Sequence, residues 1–462
     1  MVHGAESARH LEVVPAQYRV GAGRADITPE VGVPLGGYGA RHGVSDRVAA
    51  PLCCTAFVFD DGSTRACLVT CDLLYVTADI VEAVRREIST RIGIPPGAVL
   101  LAATHTHSGP ANLTREADGD YVQFVAKRVG DAVQVASTTA EPATVRISTA
   151  ELRGISLNRR DPAGPIETSL RTIIAEAAAD RKAIGVLMNY ACHATVLEAD
   201  NLAISPDFPG AAVSFVENAT GATAGYLQGC CGAINPVWID HTTAEATRIG
   251  SVLGSTAARP VFDGVGVTLT RRSVNLSIGD DVDAPPAPLA GDLVSGPLWY
   301  GTQAATLRRR AARTVAEIDE EISRAERAVR AETAKAADGS ARLAALHAER
   351  YSAMTGSPHW RANGSADEVS DTVQISGVGF GTSLALIGLP AEPFLEIGEG
   401  IRHRAEVGHL LVCGYTNGMI GYVPSRQAFD HDGYEVGMAR YEPGTAERIV
   451  DAGAELLRKA AG

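Results

Sequence analysis

The sequence lacks several features that would assign it to a common class of binding protein. Its 462 residues contain no uninterrupted apolar run of about 18 residues, so no membrane-spanning helix is expected. With a formal net charge of −13, the chain also lacks the basic surface that nucleic-acid binding requires. We therefore expect no nucleic acid and no stable membrane association. A small-molecule substrate is the expected partner, and the sequence leaves open whether the chain forms a homo-oligomer.

The sequence also lacks the marks of a secreted or disulfide-rich protein. Met1–Arg19 contains no apolar core of the kind that a secretory signal has. The eight cysteines include two adjacent pairs, Cys53-Cys54 and Cys230-Cys231, and the others lie in or beside apolar runs. This distribution is typical of buried thiols in a reducing compartment, and no CxxC spacing indicates a zinc ribbon. We therefore expect a cytoplasmic protein.

Three widespread catalytic motifs are absent as well. The sequence has no HExxH, no GxSxG and no GxxxxGK[ST], which mark zinc proteases, serine hydrolases and phosphate-binding loops. The glycine-rich segment from Gly21 to Asp26 lacks the third glycine of a dinucleotide-binding fingerprint. We interpret it as a turn that admits close approach of another backbone.

The apolar pattern that is present predicts an α/β fold, with a mixed central sheet flanked by helices. From about Val20 to Ile278, short β-branched runs alternate with helical stretches, as expected for helices packed on a buried sheet. The predicted strands are Thr55–Phe59, Ala66–Cys71, Ala98–Ala103, Ile184–Ala191, Ala222–Gln228, Thr372–Ile375, Leu384–Leu389 and His409–Cys413. The predicted helices are Ala78–Arg91, Asp120–Ser137, Pro206–Glu217, Ala244–Ala257, Phe394–Val407 and Gly444–Ala460.

A charged segment interrupts this alternation. After a tract rich in proline and glycine at Asp281–Pro297, the stretches Thr302–Lys335 and Ser340–Ser352 are rich in Ala, Arg and Glu. They predict two amphipathic helices, which form a helical-hairpin insertion at about residues 298–356. The arginines between Arg308 and Arg313 are expected on the exposed face of the first helix. Because strands return afterwards, we predict one composite domain over residues 15–462.

Two histidines follow one of the predicted strands. His105 and His107 lie in the segment Thr104–Pro110, directly after the apolar run Val99–Ala103. Residues i and i+2 of a strand share a face, so the two imidazoles are expected to point the same way at the end of the strand. Such a pair indicates a metal site, with zinc as the first candidate. The alternative is a pair of surface histidines in a polar turn.

Other polar residues follow other predicted strands, at the edge where α/β sheets bind ligands. These residues are Asp72, His193, Asn235, Glu392, Asn417 and Tyr422. His105, His193 and Glu392 would form a set of two histidines and one glutamate, which recurs in catalytic zinc sites. Each residue alone is equally compatible with a capped strand end, and the long spacing does not by itself bring them together.

These segments together resemble the catalytic domain of the neutral (non-lysosomal) ceramidases. The resemblance runs from about Gly21 to Glu435 and is weakest over the helical insertion. It rests on seven segments, namely Ala25–Thr28, Thr104–Pro110, Asn158-Arg159, Asn189–His193, Gly232–Pro236, Pro390–Glu392 and Gly414–Glu435. The resemblance implies hydrolysis of an amide bond with one zinc ion per chain.

The resemblance also implies a role for particular residues. The implied zinc ligands are two imidazoles, a carboxylate and a phenol: His105, His193, Glu392 and Tyr422. His107 would lie beside the zinc, where it could hydrogen-bond the water or the substrate. Arg159 and Tyr434 would hold the substrate carbonyl or its developing oxyanion. Their alternatives are a surface ion pair and a core tyrosine.

Two departures from the family pattern shape the expected reaction. The family's serine in the turn before Pro236 is Asn235 here, which favours attack by zinc-activated water, with Asn235 as a hydrogen-bond donor to the substrate. The sequence also lacks the family's C-terminal β-sandwich and secretion signal, which favours a smaller soluble amide over a membrane sphingolipid. We therefore expect a cytoplasmic zinc amidohydrolase acting on an N-acylated small molecule. The alternatives are a zinc-dependent ester, lactone or carbamate hydrolase, a carbohydrate lyase or isomerase, and a non-catalytic metal-binding scaffold.

Overall fold

The computed structural model describes residues 17–111, 113–262, 268–269, 282–283, 290–311, 313–330, 336–355 and 369–461. Its centre is a nine-stranded mixed sheet, which confirms the predicted fold class. In spatial order the strands are β11 (Thr223–Gln228), β9 (Ala183–Tyr190), β8 (Ser169–Ala177), β6 (Glu141–Glu151), β1 (Tyr18–Asp26), β3 (Cys53–Asp60), β4 (Arg65–Cys71) and β5 (Val99–Ala103), with β15 (Asp292–Val294) beside β6. The pairs β4–β5 and β9–β11 are parallel, so their carboxyl ends lie at one edge of the sheet.

Helices cover one face of this sheet. They are α1 (Ala78–Ile92), α2 (Arg115–Thr138), α3 (Asp207–Thr220) and α4 (Thr243–Phe262). Alternate residues of β3, such as Cys54, Ala56 and Val58, pack against α1 and α2 in one buried cluster, as the two-residue period of a strand requires. Among the described residues, no helix is long and apolar enough to cross a membrane.

A second sheet covers the opposite face. It consists of β16 (Leu298–Arg308), β17 (Ser370–Phe380), β18 (Leu384–Gly388) and β20 (His409–Cys413). Phe57 and Phe59 of β3 pack against it, and the ring of Phe59 meets that of Phe380 edge-on at 5.3 Å. Helices α7 (Leu395–His403) and α9 (Thr445–Ala461), numbered in chain order, cover its outer side. The fold therefore has four layers, with two sheets between two layers of helices.

Short ladders connect the loops at the strand ends. They pair β2 (Arg47–Val48) with β10 (Ala203–Ile204), β7 (Ser156–Asn158) with β12 (Ile234–Pro236), β13 (Thr268–Leu269) with β14 (Val282–Asp283), and β19 (Glu392–Pro393) with β21 (Tyr422–Val423). A short helix, α8 (Tyr434–Met438), and 3-10 turns at Pro96–Ala98 and Arg426–His431 complete these connections. The ladders matter because they fix loops that carry the candidate site residues.

The predicted helical hairpin is present, but it begins later than expected. Its helices are α5 (Val315–Arg330) and α6 (Ala336–Thr355). The helix prediction is wrong over residues 302–308, because these residues belong to β16, and its pairing with β17 along eleven residues outweighs the helical composition. The arginines there do not form a helix face, since Arg309 forms a buried ion pair with Asp371. The single-domain interpretation of residues 15–462 stays a prediction.

The glycine-rich segment near the N-terminus is a strand and not the predicted turn. Gly21 and Gly23 lie on one face of β1, directly beneath α2. A Cβ atom on Gly21 would lie 2.0 Å from the carbonyl oxygen of Ala136, and one on Gly23 would lie 2.2 Å from that of Ala132. The predicted close approach of another backbone is therefore correct, whereas the predicted turn is wrong.

Candidate metal centre

The candidate site lies beyond the carboxyl ends of β5 and β9. His105 follows β5 by two residues and His193 follows β9 by three. The bridge between Thr106 and Ala194 holds the two connecting loops side by side. His105 has a positive φ of 65°, in the left-handed region that is uncommon for residues other than glycine. The strand alternation that predicted its direction therefore ends before it, and this local backbone turn directs the imidazole instead.

The two histidines each present one ring nitrogen to the same space. His105 Nδ1 donates to the carbonyl of Leu74 at 2.7 Å, and its ring stacks on that of Tyr415 at 3.9 Å. His193 Nδ1 donates to the carbonyls of Cys231 and Ile234 at 2.8 and 3.1 Å. In both residues Nε2 is therefore the nitrogen that is left as an acceptor. Backbone carbonyls commonly fix the tautomer of metal-binding histidines in this way.

Glu392 lies beside the two histidines, and Tyr422 is its neighbour on the adjacent strand. Residues Glu392 and Tyr422 are direct partners in the parallel ladder of β19 and β21. Glu392 Oε1 lies 3.8 Å from His105 Nε2, and Glu392 Oε2 lies 3.8 Å from His193 Nε2. These distances are too long for hydrogen bonds. Two ligands of one tetrahedral zinc lie roughly 3.4 Å apart, so the spacing suits donors around a shared cation.

His107 joins the same group of donor atoms. Its Nε2 lies 3.2 Å from that of His105, and His105, His107 and His193 form a buried cluster that could hold a metal ion. This position puts His107 Nε2 beside the candidate ligand atoms. Gly37 makes room for this ring, because a Cβ there would lie 2.4 Å from His107 Cγ.

The electrostatics of the site also suit a cation. Burial lowers the pKa of His105 and of His193 to about 3 and that of His107 well below its usual range, so all three imidazoles are neutral and can act as ligands. Burial, followed by the negative charge of Glu392, raises the pKa of Tyr422. A positive charge at the centre would favour its phenolate.

Buried polar atoms without a hydrogen-bond partner also show that the site suits a cation. His193 Nε2 and Glu392 Oε2 are buried without a hydrogen-bond partner, an arrangement that is costly unless another group binds them. Nitrogen and oxygen donors of this kind bind several divalent metals, zinc among them. The residues present therefore fit a divalent cation.

Arg159 and its neighbours form the second part of the site. Its guanidinium donates to four groups, namely Glu435 Oε1 at 2.7 Å, Asn235 Oδ1 at 3.3 Å, the Gly232 carbonyl at 2.9 Å and the Tyr422 hydroxyl at 3.1 Å. Burial disfavours the charged form, but Tyr422 and Glu435 outweigh it and raise the pKa of Arg159. A permanent positive charge is thus fixed beside the candidate metal ligands.

The structure separates the remaining sequence candidates into two groups. Tyr434 lies at the site, with its ring 5.9 Å from that of Tyr422, and Asn235 holds Arg159 as described. Asp72 instead accepts hydrogen bonds from Cys53 N at 2.9 Å and Thr104 Oγ1 at 3.2 Å, so it caps strand ends. Asn417 bonds the backbone of β5 through Leu101 N and the Val99 carbonyl. The capped-strand alternative is therefore correct for these two residues.

Two important residues were not singled out in the sequence. Glu435 bridges Arg159 and Arg160, with the latter bond at 2.8 Å, and it directly follows Tyr434 in a segment that had been matched to the family. Tyr415 stacks on His105 and also contacts Cys231 Sγ through its hydroxyl at 3.1 Å. No local spacing marks either residue, since each acts across more than a hundred residues of chain.

An open cavity of about 770 Å³ adjoins Arg159, Tyr434 and Glu435. His105, His107 and His193 do not line the cavity, whereas Arg159, which donates to the candidate ligand Tyr422, does. Its walls mix apolar and polar groups, among them Phe394 and Asp161. The cavity is large enough for part of a small organic molecule.

Comparisons with known proteins agree with this fold. Residues 18–233 match the family model described as neutral/alkaline non-lysosomal ceramidase, N-terminal. The neutral ceramidase of Mycobacterium tuberculosis is 29% identical over 238 residues, which cover 46% of this chain and 37% of that protein. The neutral ceramidase of Pseudomonas aeruginosa is 26% identical over 253 residues, which cover 47% of this chain and 37% of that protein.

Solved structures extend the likeness in fold. The crystal structure of neutral ceramidase from Pseudomonas aeruginosa matches with a TM-score of 0.72 at 19% identity, covering 97% of this chain and 76% of that one. A ceramidase complexed with C2 matches with a TM-score of 0.69 at 18% identity, covering 96% and 76%.

The fold and the buried histidine cluster define the chain as a layered α/β protein with a candidate metal centre. The match of residues 18–233 to the neutral/alkaline ceramidase family model, and the two similar neutral ceramidases, agree with the resemblance that the motifs indicated. The sequence matches span only about a third of the length of the curated relatives.

Proposed function

We propose that the chain is a zinc-dependent amidohydrolase that cleaves the amide bond of an N-acylated small molecule. The observation that carries the proposal is the convergence of His105 Nε2, His193 Nε2 and the Glu392 carboxylate, with two of these donors buried and unpartnered. The match to the neutral/alkaline ceramidase family model, and the similarity to curated neutral ceramidases, support an amide as the scissile bond.

The proposed metal would be held by His105, His193, Glu392 and Tyr422, with His107 beside them. When bound, zinc would polarise the substrate carbonyl and lower the pKa of water. His107 is neutral and buried, so it can accept a proton from the attacking water or orient it. Asn235 offers no nucleophilic hydroxyl, which supports water as the nucleophile.

Arg159 and Tyr434 would stabilise the oxyanion that develops on the carbonyl. Arg159 is held in place before the substrate arrives, because Glu435 and the Gly232 carbonyl fix its Nε and one terminal nitrogen. Donors that are fixed in advance stabilise a transition state without the cost of reorienting them during the reaction. The mixed walls of the adjoining cavity support a substrate with a polar portion.

Metal analysis and a substrate panel test the proposal. We expect about one zinc per purified chain, lost in His105→Ala, and hydrolysis of N-acyl amides that disappears with the metal. Thr242→Ala changes a surface residue outside the site and serves as the control, with zinc content unchanged. Turnover of esters or lactones without any amide would redirect the proposal to another hydrolase class. Absence of bound metal would favour the scaffold alternative.

A further inference from the structure

The second helix of the hairpin packs directly against the candidate site. Ala345 of α6 approaches α8 so closely that a Cβ on Gly437 would lie 2.0 Å from the Ala345 carbonyl oxygen. One turn later, Ala348 belongs to the same buried cluster as Tyr422. Since α8 carries Tyr434 and Glu435, α6 supports the segment that holds Arg159. The hairpin is therefore part of the wall of the site.

Tyr351 extends this wall to the opposite side. It lies three residues after Ala348 and hence on the same side of α6. Its ring packs on Gly39, where a Cβ would lie 3.0 and 3.1 Å from two of its carbon atoms. The preceding residue, Tyr38, meets the His107 ring edge-on at 4.9 Å. Tyr351 is 45% exposed, so it lies at the surface where α6 meets the loop beside His107.

The electrostatic environment places Tyr351 close to the centre as well. Burial, then Glu392, then Tyr351 raise the pKa of Tyr75, which is itself buried. Glu392 and Tyr351 also contribute, after desolvation, to the raised pKa of Tyr434. Tyr351 therefore lies within electrostatic range of two tyrosines that in turn sense the carboxylate of the candidate metal centre.

We propose that Tyr351 is a specificity-determining residue that limits the size of the acyl group admitted beside the candidate metal centre. The inference rests on the proposed amidohydrolase function. The ring of Tyr351 lies between α6 and the loop at Gly39, next to the residue that contacts His107, so a compact acyl group fits beside it more readily than a long chain. Removing the ring frees this space, whereas removing only its hydroxyl leaves most of the space filled.

Fluorogenic amides of one aminocoumarin, carrying an acetyl, octanoyl or palmitoyl group, provide the test. For Tyr351→Ala we expect the ratio of kcat/KM for palmitoyl to that for acetyl to rise about tenfold, the scale of discrimination that steric fit supplies. Tyr351→Phe should keep the wild-type ratio within a factor of two. Tyr300→Ala serves as the matched control, because Tyr300 is a similarly exposed tyrosine that packs on Gly97.

Calorimetric binding of the same three amides to His105→Ala, with and without Tyr351→Ala, gives a second readout that needs no turnover. A stronger preference for the palmitoyl compound when Tyr351 is truncated supports the inference. An unchanged chain-length profile in both assays overturns it, while amide hydrolysis by the wild type leaves the proposed function standing. Failure of the wild type to hydrolyse any amide contradicts the proposed function, and the binding profile then decides the inference alone.

Discussion

The protonation state of each residue in this site is determined by its hydrogen-bond partners, its burial and the charges beside it. The Nδ1 atoms of His105 and His193 are committed to backbone carbonyls, and burial keeps both rings neutral. Arg159, in contrast, keeps its charge because a carboxylate and a phenol surround it. The same buried region therefore supplies neutral acceptors on one side and a permanent cation on the other. That division suits a reaction in which negative charge develops between them.

Replacing Arg159 tests this division directly. Oxyanion donors are typically worth about 2.7–4 kcal/mol, so Arg159→Ala should lower kcat on an amide substrate at least about a hundredfold. Bound zinc should be retained, since Arg159 is not among the proposed ligands. Arg402→Ala is a suitable control, because Arg402 has nearly the same exposure, 23% against 22%, and pairs with Glu167 away from the metal ligands. Unchanged kcat in Arg159→Ala would remove this residue from the mechanism.

At the level of secondary-structure elements, close packing of small residues determines several positions. Gly21 and Gly23 recur on one face of β1, and they face Ala132 and Ala136, which are four apart on α2. Residues two apart on the strand therefore pack against residues four apart on the helix. This contact brings the helix backbone almost onto the strand, so neither glycine position has room for a side chain.

A single methyl group should therefore destabilise this contact. In Gly21→Ala the new Cβ would meet the Ala136 carbonyl oxygen, a backbone atom that cannot move aside alone. We expect a loss of about 1–3 kcal/mol in the free energy of unfolding, measured by urea denaturation. Gly301→Ala on β16 is the control, because its nearest neighbour is the end of the flexible Leu456 side chain at 3.2 Å. Equal effects of the two substitutions would contradict this account.

The same elements explain which parts of the structure could be predicted from the sequence. Strands such as β4 and β20 were predicted because their apolar runs are local signals. By contrast, β16 owes its conformation to a partner strand more than sixty residues later, so its Ala- and Arg-rich composition misled the prediction. The glycines on β1 predicted a turn, because the sequence does not show that they pack against α2. The ligand-type residues were recognisable at strand ends, but Glu435 was not, because its role depends on two arginines distant in sequence.

The fold as a whole keeps its thiols unpaired and mostly shielded from solvent. All eight cysteines lie in the described part of the chain and none is in a disulfide. Seven are buried, and Cys53 is half-buried. Burial raises the pKa of all seven, that of Cys54 to about 12, which suppresses the reactive thiolate. This pattern agrees with the buried thiols that the sequence predicted.

Thiol titration of the purified protein tests this picture of the whole fold. After denaturation without a reductant, an aromatic disulfide reagent should modify all eight cysteines, since none is paired. In the native state we expect only Cys53 to react, and slowly, because burial raises its pKa and Arg24 only partly offsets this effect. Cys53→Ser should then abolish native reactivity, whereas Cys67→Ser, which removes a fully buried thiol, should leave it unchanged. Fewer than eight reactive thiols after denaturation would mean that disulfides form, and a fast native reaction at several sites would mean that the layers open far more readily than their packing implies.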